Sequence, residues 1–524
     1  MAAQKRWGLA AMVAAVLFLT GCGGGSQPGP DSSGAPAGEP QSGGTITIGL
    51  LADAVGGLDP HKTPNQQSTW ADGLVYSRLV GLDAEGKVIP DLAEKWEVVS
   101  DTEYTFQIRS DVKFHNGREL TADDIKYSLD RLRNPDTGSS KGYWFKSIQD
   151  IEAPAPDRIT LTLSKPDAAL LVHLANPVAA VVPQEVVEAE GDLNQKMVGS
   201  GPFVFVSHTP GVSLVLKKNP DYFVKGLPYL DEVVLKPLED ENTRVNALKA
   251  GDIDVATFVP VNMIDALSKE PGVTVNDGRS GQMYALLMQV GRPPLDNLQV
   301  RQAIMNAVDR QALVEGAIFG KGVPLSSGPI PSWHPYHLKG DIYKGSDMKK
   351  AERLMKESGV ATPINLTMGL WSGQTFAINA GQVIQQELKK LGINIEIKQY
   401  GDYASYNKAV FVEKVHDITI QGLGGKIDPN DWLADVFQTG SRSNLTDYSD
   451  PAVDALLDEG RATTDVAKRK AAYDKAQKII AESGPFALLW NMEQPDAIVD
   501  RVKNYQHRPD LQLDGLVTTW VEQK

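Results

Sequence analysis

The sequence predicts a mixed α/β protein with more than one domain. Its 524 residues correspond to two to four domains, since an average domain has roughly 150 residues. Segments in which apolar residues alternate with small or polar ones indicate half-buried strands, and amphipathic stretches between them indicate helices. The composition, 42% hydrophobic and 23% charged, is typical of a well-packed globular chain.

Strands and helices follow no simple order in the first half of the chain. The first strand, residues 45–50 (TITIGL), alternates Ile46, Ile48 and Leu50 with small polar residues. A helix is predicted at 120–132, with Thr121 as its N-cap and two aspartates in its first turn. Further strands are predicted at 103–109, 158–163, 213–217 and 232–236.

The second half has a regular order. Gly392 stops one predicted helix, and a Gly-Pro pair at 484–485 ends another. Alternation of strands and helices is typical of a parallel sheet, which we therefore expect here. The predicted strands are 364–370, 393–400 and 416–422, and the predicted helices are 373–392, 404–414 and 465–485.

The N-terminal segment predicts export and a lipid anchor. Lys5 and Arg6 precede an apolar run at 7–20 that is shorter than the ~20 residues of a membrane span. The run leads into LTGC, which resembles a bacterial lipobox and implies cleavage after residue 21 with diacylglycerol on Cys22. An ordinary signal peptide with an incidental cysteine is the alternative. The segment that follows, up to residue 44, lacks large apolar residues and predicts a flexible tether.

Charge and motifs argue against several functions. A net charge of −14 without a long basic run disfavours nucleic-acid binding, which needs clustered Lys and Arg. The GSG sequence at 199–201 lacks the G-x-S-x-G spacing of a hydrolase, and the single cysteine is assigned to the lipid. His334 and His337 lie close together without an HExxH pattern or a third ligand nearby. We therefore predict no enzymatic activity, no cofactor and no metal site.

The stretch QGLGGKIDPNDWL, residues 421–433, is the main candidate for ligand recognition. It follows a strand of the predicted parallel sheet, and ligands of open α/β sheets bind beyond the carboxyl ends of strands. It matches neither the phosphate loop G-x-x-x-x-G-K-[ST] nor a calcium loop, and a plain surface turn is the alternative. The candidate ligand contacts are Leu423, Gly424, Gly425, Lys426, Trp371 and Trp432.

Each of these side chains has two interpretations. Lys426 pairs with a ligand carboxylate or phosphate, or it is a solvated loop lysine. Trp371 and Trp432 stack on a ligand, or they pack internally. The glycines allow a ligand to approach bare backbone, or they belong to the turn.

Residues 88–129 carry a specific resemblance. They contain PDLAEKW (90–96), YTFQIR (104–109), VKFHNG (112–117) and LTADDIKYSL (120–129). This stretch is similar to family 5 bacterial solute-binding proteins, the extracellular receptors of peptide and related ABC importers. Supporting motifs extend the resemblance from Thr45 to the end of the chain, among them GSGPFVF at 199–205, NPDYF at 219–223 and DPNDWL at 428–433.

The resemblance implies a two-lobed periplasmic-binding-protein-like fold of type II, with a hinge and an extra subdomain in lobe I. It implies a receptor that delivers a captured solute to an ABC permease and its ATPase, outside the cytoplasmic membrane at the cell surface or in the periplasm. The expected segments are a signal peptide at 1–21, a tether at 22–44, lobe I at 45–284 with its subdomain at about 80–205, lobe II at 285–486, and a return to lobe I at 487–524.

One departure from the family pattern concerns the ligand. In peptide-binding relatives the corresponding loop supplies an aspartate that pairs with the peptide's α-ammonium. Aligned on Asp428 and Pro429, that acid falls near Gly425 or Lys426, and neither residue is acidic. An ammonium buried without a carboxylate is costly. Two ligand classes stay open: peptides whose ammonium is held by another acid or by backbone oxygens, and a non-peptide solute such as an oligosaccharide, an opine-like acid or a metal chelate.

Overall fold

Three sheets of four or more strands organise the part of the chain that the structure describes. The structure is a computed structural model that describes residues 38–523, except 55–56, 63–65, 140, 279, 344, 425 and 442–443. The predicted signal peptide, Cys22 and most of the tether lie outside the described residues. From Pro40 onward the chain forms one compact unit.

The strands are β1 (Thr45–Leu50), β2 (Val80–Leu82), β3 (Val88–Pro90), β4 (Ala93–Ser100), β5 (Glu103–Ile108), β6 (Ile148–Ala155), β7 (Arg158–Leu163), β8 (Phe203–Thr209), β9 (Ser213–Lys218), β10 (Glu232–Pro237), β11 (Val255–Ala256), β12 (Val273–Val275), β13 (Met283–Met288), β14 (Gly322–Pro324), β15 (Ile364–Trp371), β16 (Ile393–Tyr400), β17 (Ile418–Leu423), β18 (Phe486–Met492), β19 (Ala497–Val499), β20 (Val502–Lys503) and β21 (Trp520–Val521).

The helices are α1 (Gln66–Val75), α2 (Ala122–Arg133), α3 (Leu170–Leu174), α4 (Gln184–Glu190), α5 (Glu241–Ala250), α6 (Ile264–Leu267), α7 (Leu298–Ala307), α8 (Arg310–Ile318), α9 (Met348–Glu357), α10 (Thr375–Lys389), α11 (Tyr403–Asn407), α12 (Pro429–Phe437), α13 (Pro451–Arg461) and α14 (Val466–Ser483). Short 3-10 turns lie at Pro135–Thr137, Gly142–Phe145, Pro177–Ala179 and Asp514–Val517, and a π-helical turn at Lys408–Val412. None of the helices in the described ranges is long and apolar enough to cross a membrane.

The first sheet has seven strands in the order β12-β19-β11-β1-β10-β9-β8. β1 pairs in parallel with β10 and β11, and its Ile46, Ile48 and Leu50 are buried in one apolar cluster, as the alternation predicted. β19 lies between β11 and β12 and runs antiparallel to both. This sheet therefore joins segments from both ends of the described chain.

The second sheet has six strands in the order β14-β18-β13-β17-β15-β16. β15 pairs in parallel with β16 and β17, which confirms the parallel core expected from the sequence. β13 is antiparallel to both β17 and β18, so the complete sheet is mixed. Alternate residues of β13 enter two apolar clusters on opposite faces, which means that helices cover both sides of this sheet.

The third sheet, in the order β4-β5-β7-β6, belongs to the region predicted as the extra subdomain. Tyr104, Phe106 and Ile108 of β5 point into its core, as predicted. Thr121 is the N-cap of α2, and its backbone N–H donates to the Asp124 carboxylate at 2.9 Å.

Two expected boundaries shift in the structure. Residue 487 falls inside β18, which pairs with the second sheet, so the chain returns to the first sheet only between Met492 and Ala497. The end of the predicted tether is held by the folded body, since Gly43 N–H donates to the Tyr229 carbonyl at 2.7 Å and Gly44 N–H to Asp231 at 3.2 Å.

Candidate functional site

A cavity of about 230 Å³ lies where the loop after β17 and helix α12 meet elements of the first half and the C-terminal segment. This volume is below the roughly 300–1,000 Å³ of sites for drug-sized ligands, so it suits a small solute. The lining residues are Thr69, Leu82, Lys141, Trp144, Val172, His173, Ala175, Asn176, Pro177, Val178, Gly424, Lys426, Ile427, Asp431, Asp510, Gln512 and Asp514.

Helix α12 presents two buried carboxylates toward this region. Asp428 caps the helix by accepting from Asn430 N–H at 2.8 Å, and Pro429 occupies its first turn. Asp431 and Asp435 are four residues apart and therefore lie on one face of the helix. Both are buried, so each needs a partner from another element.

Asp431 is paired with a histidine of the first half. His173 Nε2 lies 2.8 Å from Asp431 Oδ1, and the His173 ring stacks on Trp144 with centroids 4.4 Å apart and planes 9° apart. Burial alone lowers the pKa of His173, but the charge and hydrogen bond of Asp431 outweigh it, and the net shift is upward. The imidazole therefore stacks on Trp144 and at the same time pairs with the Asp431 carboxylate of α12.

Asp435 receives donors from both sides of the cavity. Trp144 Nε1 donates to its carboxylate at 3.3 Å, and the ammonium groups of Lys141 and Lys426 lie 3.7 and 3.4 Å from its Oδ2. Burial raises the pKa of Asp435, but the two lysines outweigh that effect and lower it. Lys141 also lies over the Trp144 ring, 4.4 Å from the ring centroid, and burial lowers its own pKa.

A second ion pair joins the same two parts of the molecule beside the cavity. Arg461, at the end of α13, contacts the buried Asp167 at 2.9 and 2.5 Å. Asp167 also accepts from Ser147 at 2.6 Å, and Arg461 donates to the Trp144 carbonyl at 3.2 Å. Together with the pairs at α12, it connects the region of the third sheet to the second half.

The C-terminal segment forms the remaining wall. Asp510 is bound by Arg508 at 2.8 and 3.0 Å, and Asp514 accepts from Arg78 at 2.8 Å through Oδ2. The second oxygen of Asp514 and the amide oxygen of Gln512 are buried and have no hydrogen-bond partner among the described residues. Asp514 Oδ1 lies against α1, since a Cβ on Gly73 would be 2.4 Å from it, so this oxygen is enclosed by protein.

Gly422, near the end of β17, and Gly424, directly after the strand, both pack closely against Gln282. A Cβ on Gly424 would lie 2.5–2.6 Å from Gln282 Cβ and Cα, and a Cβ on Gly422 would lie 2.1 Å from the Gln282 side chain. The segment that crosses between the first and second sheets thus passes directly against this loop. Gly424 also lines the cavity, whereas Gly425 lies outside the described residues.

Of the other residues predicted to contact a ligand, one lines the cavity and three pack against other side chains. Lys426 lines the cavity and is mostly buried, so it is not a solvated loop lysine. Trp432 is fully buried and donates to the Gly281 carbonyl at 3.1 Å, which leaves no ring face for a ligand. Leu423 packs beside the apolar cluster that contains Trp432. Trp371 packs edge-on against Tyr403, with ring centroids 5.2 Å apart. None of these three side chains lines the cavity, and packing is the interpretation that fits them.

Two further sequence features have structural roles. Asp428 belongs to the helix cap, as its position before Pro429 suggested, and Arg469 binds its carboxylate at 2.6 and 2.9 Å. His334 and His337 each bond a backbone carbonyl, at 3.1 and 2.7 Å. Across the described residues, no cluster of three or more His, Cys, Asp or Glu side chains is placed to hold a metal.

Most cavity residues escaped the sequence prediction because they come from distant segments. Lys141 and Trp144 lie at a short 3-10 turn and His173 lies in the short helix α3, none of them in a motif, and the C-terminal wall lies over 80 residues beyond the glycine loop. One signal was available: Asp431 and Asp435 recur at helical spacing directly after the cap at Asp428.

Comparison with known proteins shows which family the sequence matches. Residues 87–445 match the family model of bacterial extracellular solute-binding proteins, family 5 middle. The chain is 30% identical to di/tripeptide-binding protein 1 of Pseudomonas aeruginosa, over 82% of this chain and 86% of that protein. It is 29% identical to the glutathione-binding protein GsiB of Pectobacterium atrosepticum, over 86% of this chain and 90% of that protein.

A solved structure of a related binding protein has the same fold. The periplasmic binding protein AgaA of A. tumefaciens, in complex with agropinic acid, superimposes with a TM-score of 0.83 at 32% identity. The match covers 92% of this chain and 99% of AgaA. The relatives are binding proteins, and the two-lobed fold expected from the sequence is confirmed.

Proposed function

The chain belongs to family 5 of the bacterial extracellular solute-binding proteins, and on that premise we propose that it captures short peptides and delivers them to an ABC importer. The observation that carries the proposal is the cavity. Its walls come from both halves of the chain and hold ammonium and carboxylate groups together, as recognition of a zwitterion requires. Its small volume favours peptides of two or three residues.

The proposed mechanism is capture by closure. Among the described residues, the strands of the first sheet connect to those of the second through 276–278 and 280–282 and through 493–496. The two connections bond each other, since Gln494 N–H donates to the Gly278 carbonyl at 2.8 Å. We expect these two segments to act as the hinge, with the lobes closing on the ligand. The closed form then presents one surface to the permease, and the receptor itself catalyses no reaction.

Cys22 completes the proposal. Family 5 receptors act outside the cytoplasm, and the LTGC sequence supports attachment of this one to the membrane through a diacylglyceryl cysteine. The residues between Cys22 and the first described contacts of the segment with the folded body, at 41–44, would give the receptor reach around its permease.

The first test is a thermal-shift comparison with free di- to octapeptides. A ligand at 100 times its Kd adds about 2.7 kcal/mol to the stability of the folded state, which raises the melting temperature measurably. We expect the strongest shifts from di- and tripeptides. The absence of any shift across the whole pool would contradict peptide capture.

A second ligand class has specific support. AgaA, at 32% identity, was solved with agropinic acid, and the cavity of this chain also contains two lysines. The same receptor role for an opine-like acid is therefore the alternative. The thermal-shift comparison decides between them, because an opine-like acid that stabilises the protein when no peptide of the pool does would favour the alternative.

A further inference from the structure

Two ammonium groups in the cavity share one carboxylate. Lys141 and Lys426 come from opposite walls, and both reach Oδ2 of Asp435 within 4.0 Å. The neighbouring acid of α12, Asp431, is engaged by His173 at 2.8 Å. Two cations on one anion leave donor capacity, since each ammonium carries three N–H groups.

Their positions are fixed by packing. Lys141 lies over the rings of Trp144 and Tyr143, at 4.4 and 5.8 Å from the centroids. Lys426 follows Gly424, whose close contact with Gln282 sets the course of the loop. Both lysines line the cavity, so a carboxylate placed between them would complete an alternation of negative and positive charges with Asp435.

We propose that the ligand places a carboxylate between Lys141 and Lys426, so that an acidic group of the ligand is recognised at the loop after β17. This polarity is opposite to the one implied by the family resemblance, in which the same loop supplies an acid to the α-ammonium. The inference rests on the proposed receptor function and adds the required ligand group.

The test uses matched peptides and one variant. Di- and tripeptides of the same sequence are compared as free acids, as C-terminal amides and as N-acetyl derivatives, by calorimetric titration. For the wild type we expect amidation to weaken binding on the order of 10- to 100-fold and acetylation to weaken it less. Lys426→Gln should lose a similar factor for the acids and bind the amides as the wild type does.

The control variant is Lys398→Gln, a half-exposed lysine of β16 that pairs with Glu396 at 2.6 Å. It should bind all peptides as the wild type does. Melting curves of each variant without ligand show that it is folded, and Lys141→Gln provides a second variant if Lys426→Gln is not. Amides that bind as tightly as acids, or a folded lysine variant that keeps its affinity for acids, would overturn the proposed polarity.

A separate probe distinguishes this inference from the receptor assignment. Glutarate has carboxylates and no amine, and at millimolar concentration it should stabilise the wild type and not Lys426→Gln. If no peptide binds and glutarate behaves in this way, peptide capture fails and the polarity stands. If glutarate gives no shift, or equal shifts in both proteins, the polarity fails even when peptides bind.

Discussion

At the scale of single residues, Asp428 shows how a motif acid can be withdrawn from ligand binding. Its carboxylate caps α12 and accepts two hydrogen bonds from Arg469. Burial lowers the pKa of Arg469, but the charge of Asp428 outweighs it and raises that pKa above its ordinary value. Since the carboxylate of Asp428 and the guanidinium of Arg469 bond each other, a ligand has to be recognised by other charged side chains at the cavity.

His173 leads to a prediction about pH. Its pKa is raised because Asp431, with a smaller contribution from Asp167, outweighs burial and the opposing charge of Arg461. A raised pKa in the folded state means that the stabilisation is complete below the unfolded-state value of about 6.5 and is lost as pH rises through the folded-state value. His173→Gln should therefore destabilise the folded state most near pH 6 and below, and progressively less at alkaline pH.

Urea unfolding of the wild type and His173→Gln between pH 5.5 and 9 measures this difference. Taking the difference between the two proteins cancels the titration of the other histidines. A difference that stays constant over the whole range would show that the pKa of His173 is the same in the folded and unfolded states. An advantage of the wild type that grows as pH rises would show that the folded imidazole is neutral.

At the scale of elements, the loop after β17 is limited by backbone contact. Gly424→Ala would place a Cβ 2.6 Å from Gln282 Cα, and a backbone atom cannot move aside as a flexible side chain can. We expect a loss of roughly 1–3 kcal/mol and weaker ligand binding, since Gly424 also lines the cavity. Chemical denaturation and calorimetric titration measure the two effects.

Gly316→Ala in α8 is the matched control, because a Cβ there meets no atom within 4 Å. Alanine favours a helix over glycine by up to ~1 kcal/mol, so this variant should be neutral or more stable. Equal effects of the two substitutions would mean that the loop can shift away from Gln282.

The elements also show where sequence periodicity succeeds. The predicted bounds of β15, β16 and β17 lie within about two residues of the observed ones, although a regular alternation of buried and exposed residues is seen only in β16 and at the start of β15. α12 is buried on all sides, whereas its Asp431 and Asp435 look like ordinary surface acids in the sequence. The prediction missed them because their partners His173 and Trp144 lie 258 and 291 residues away along the chain.

At the scale of the whole molecule, contacts beside the cavity hold the region of the third sheet against α12 and α13. One of these contacts outside the cavity itself is the ion pair of Arg461 with Asp167, which is made by two hydrogen bonds. Replacing both, Arg461→Met with Asp167→Asn, removes the link without leaving a buried charge unpaired. We expect the closed form to become less populated and the ligand Kd to rise about tenfold.

Calorimetric titration gives the Kd, and small-angle scattering without ligand should show a larger radius of gyration. Arg353→Met, which removes an exposed arginine paired with Glu357 on one helix, is the control. An unchanged Kd in the double variant would show that closure does not depend on this ion pair.

The arrangement of the first sheet has a consequence for biosynthesis. β19 is the strand that joins β12 to β11, and it is made after every strand of the second sheet. The second sheet can therefore assemble while the first is still divided into two pieces, although domains usually fold in the order of their synthesis. A chain interrupted before residue 497 would expose the unpaired edges of β11 and β12, a form that proteases can recognise and remove.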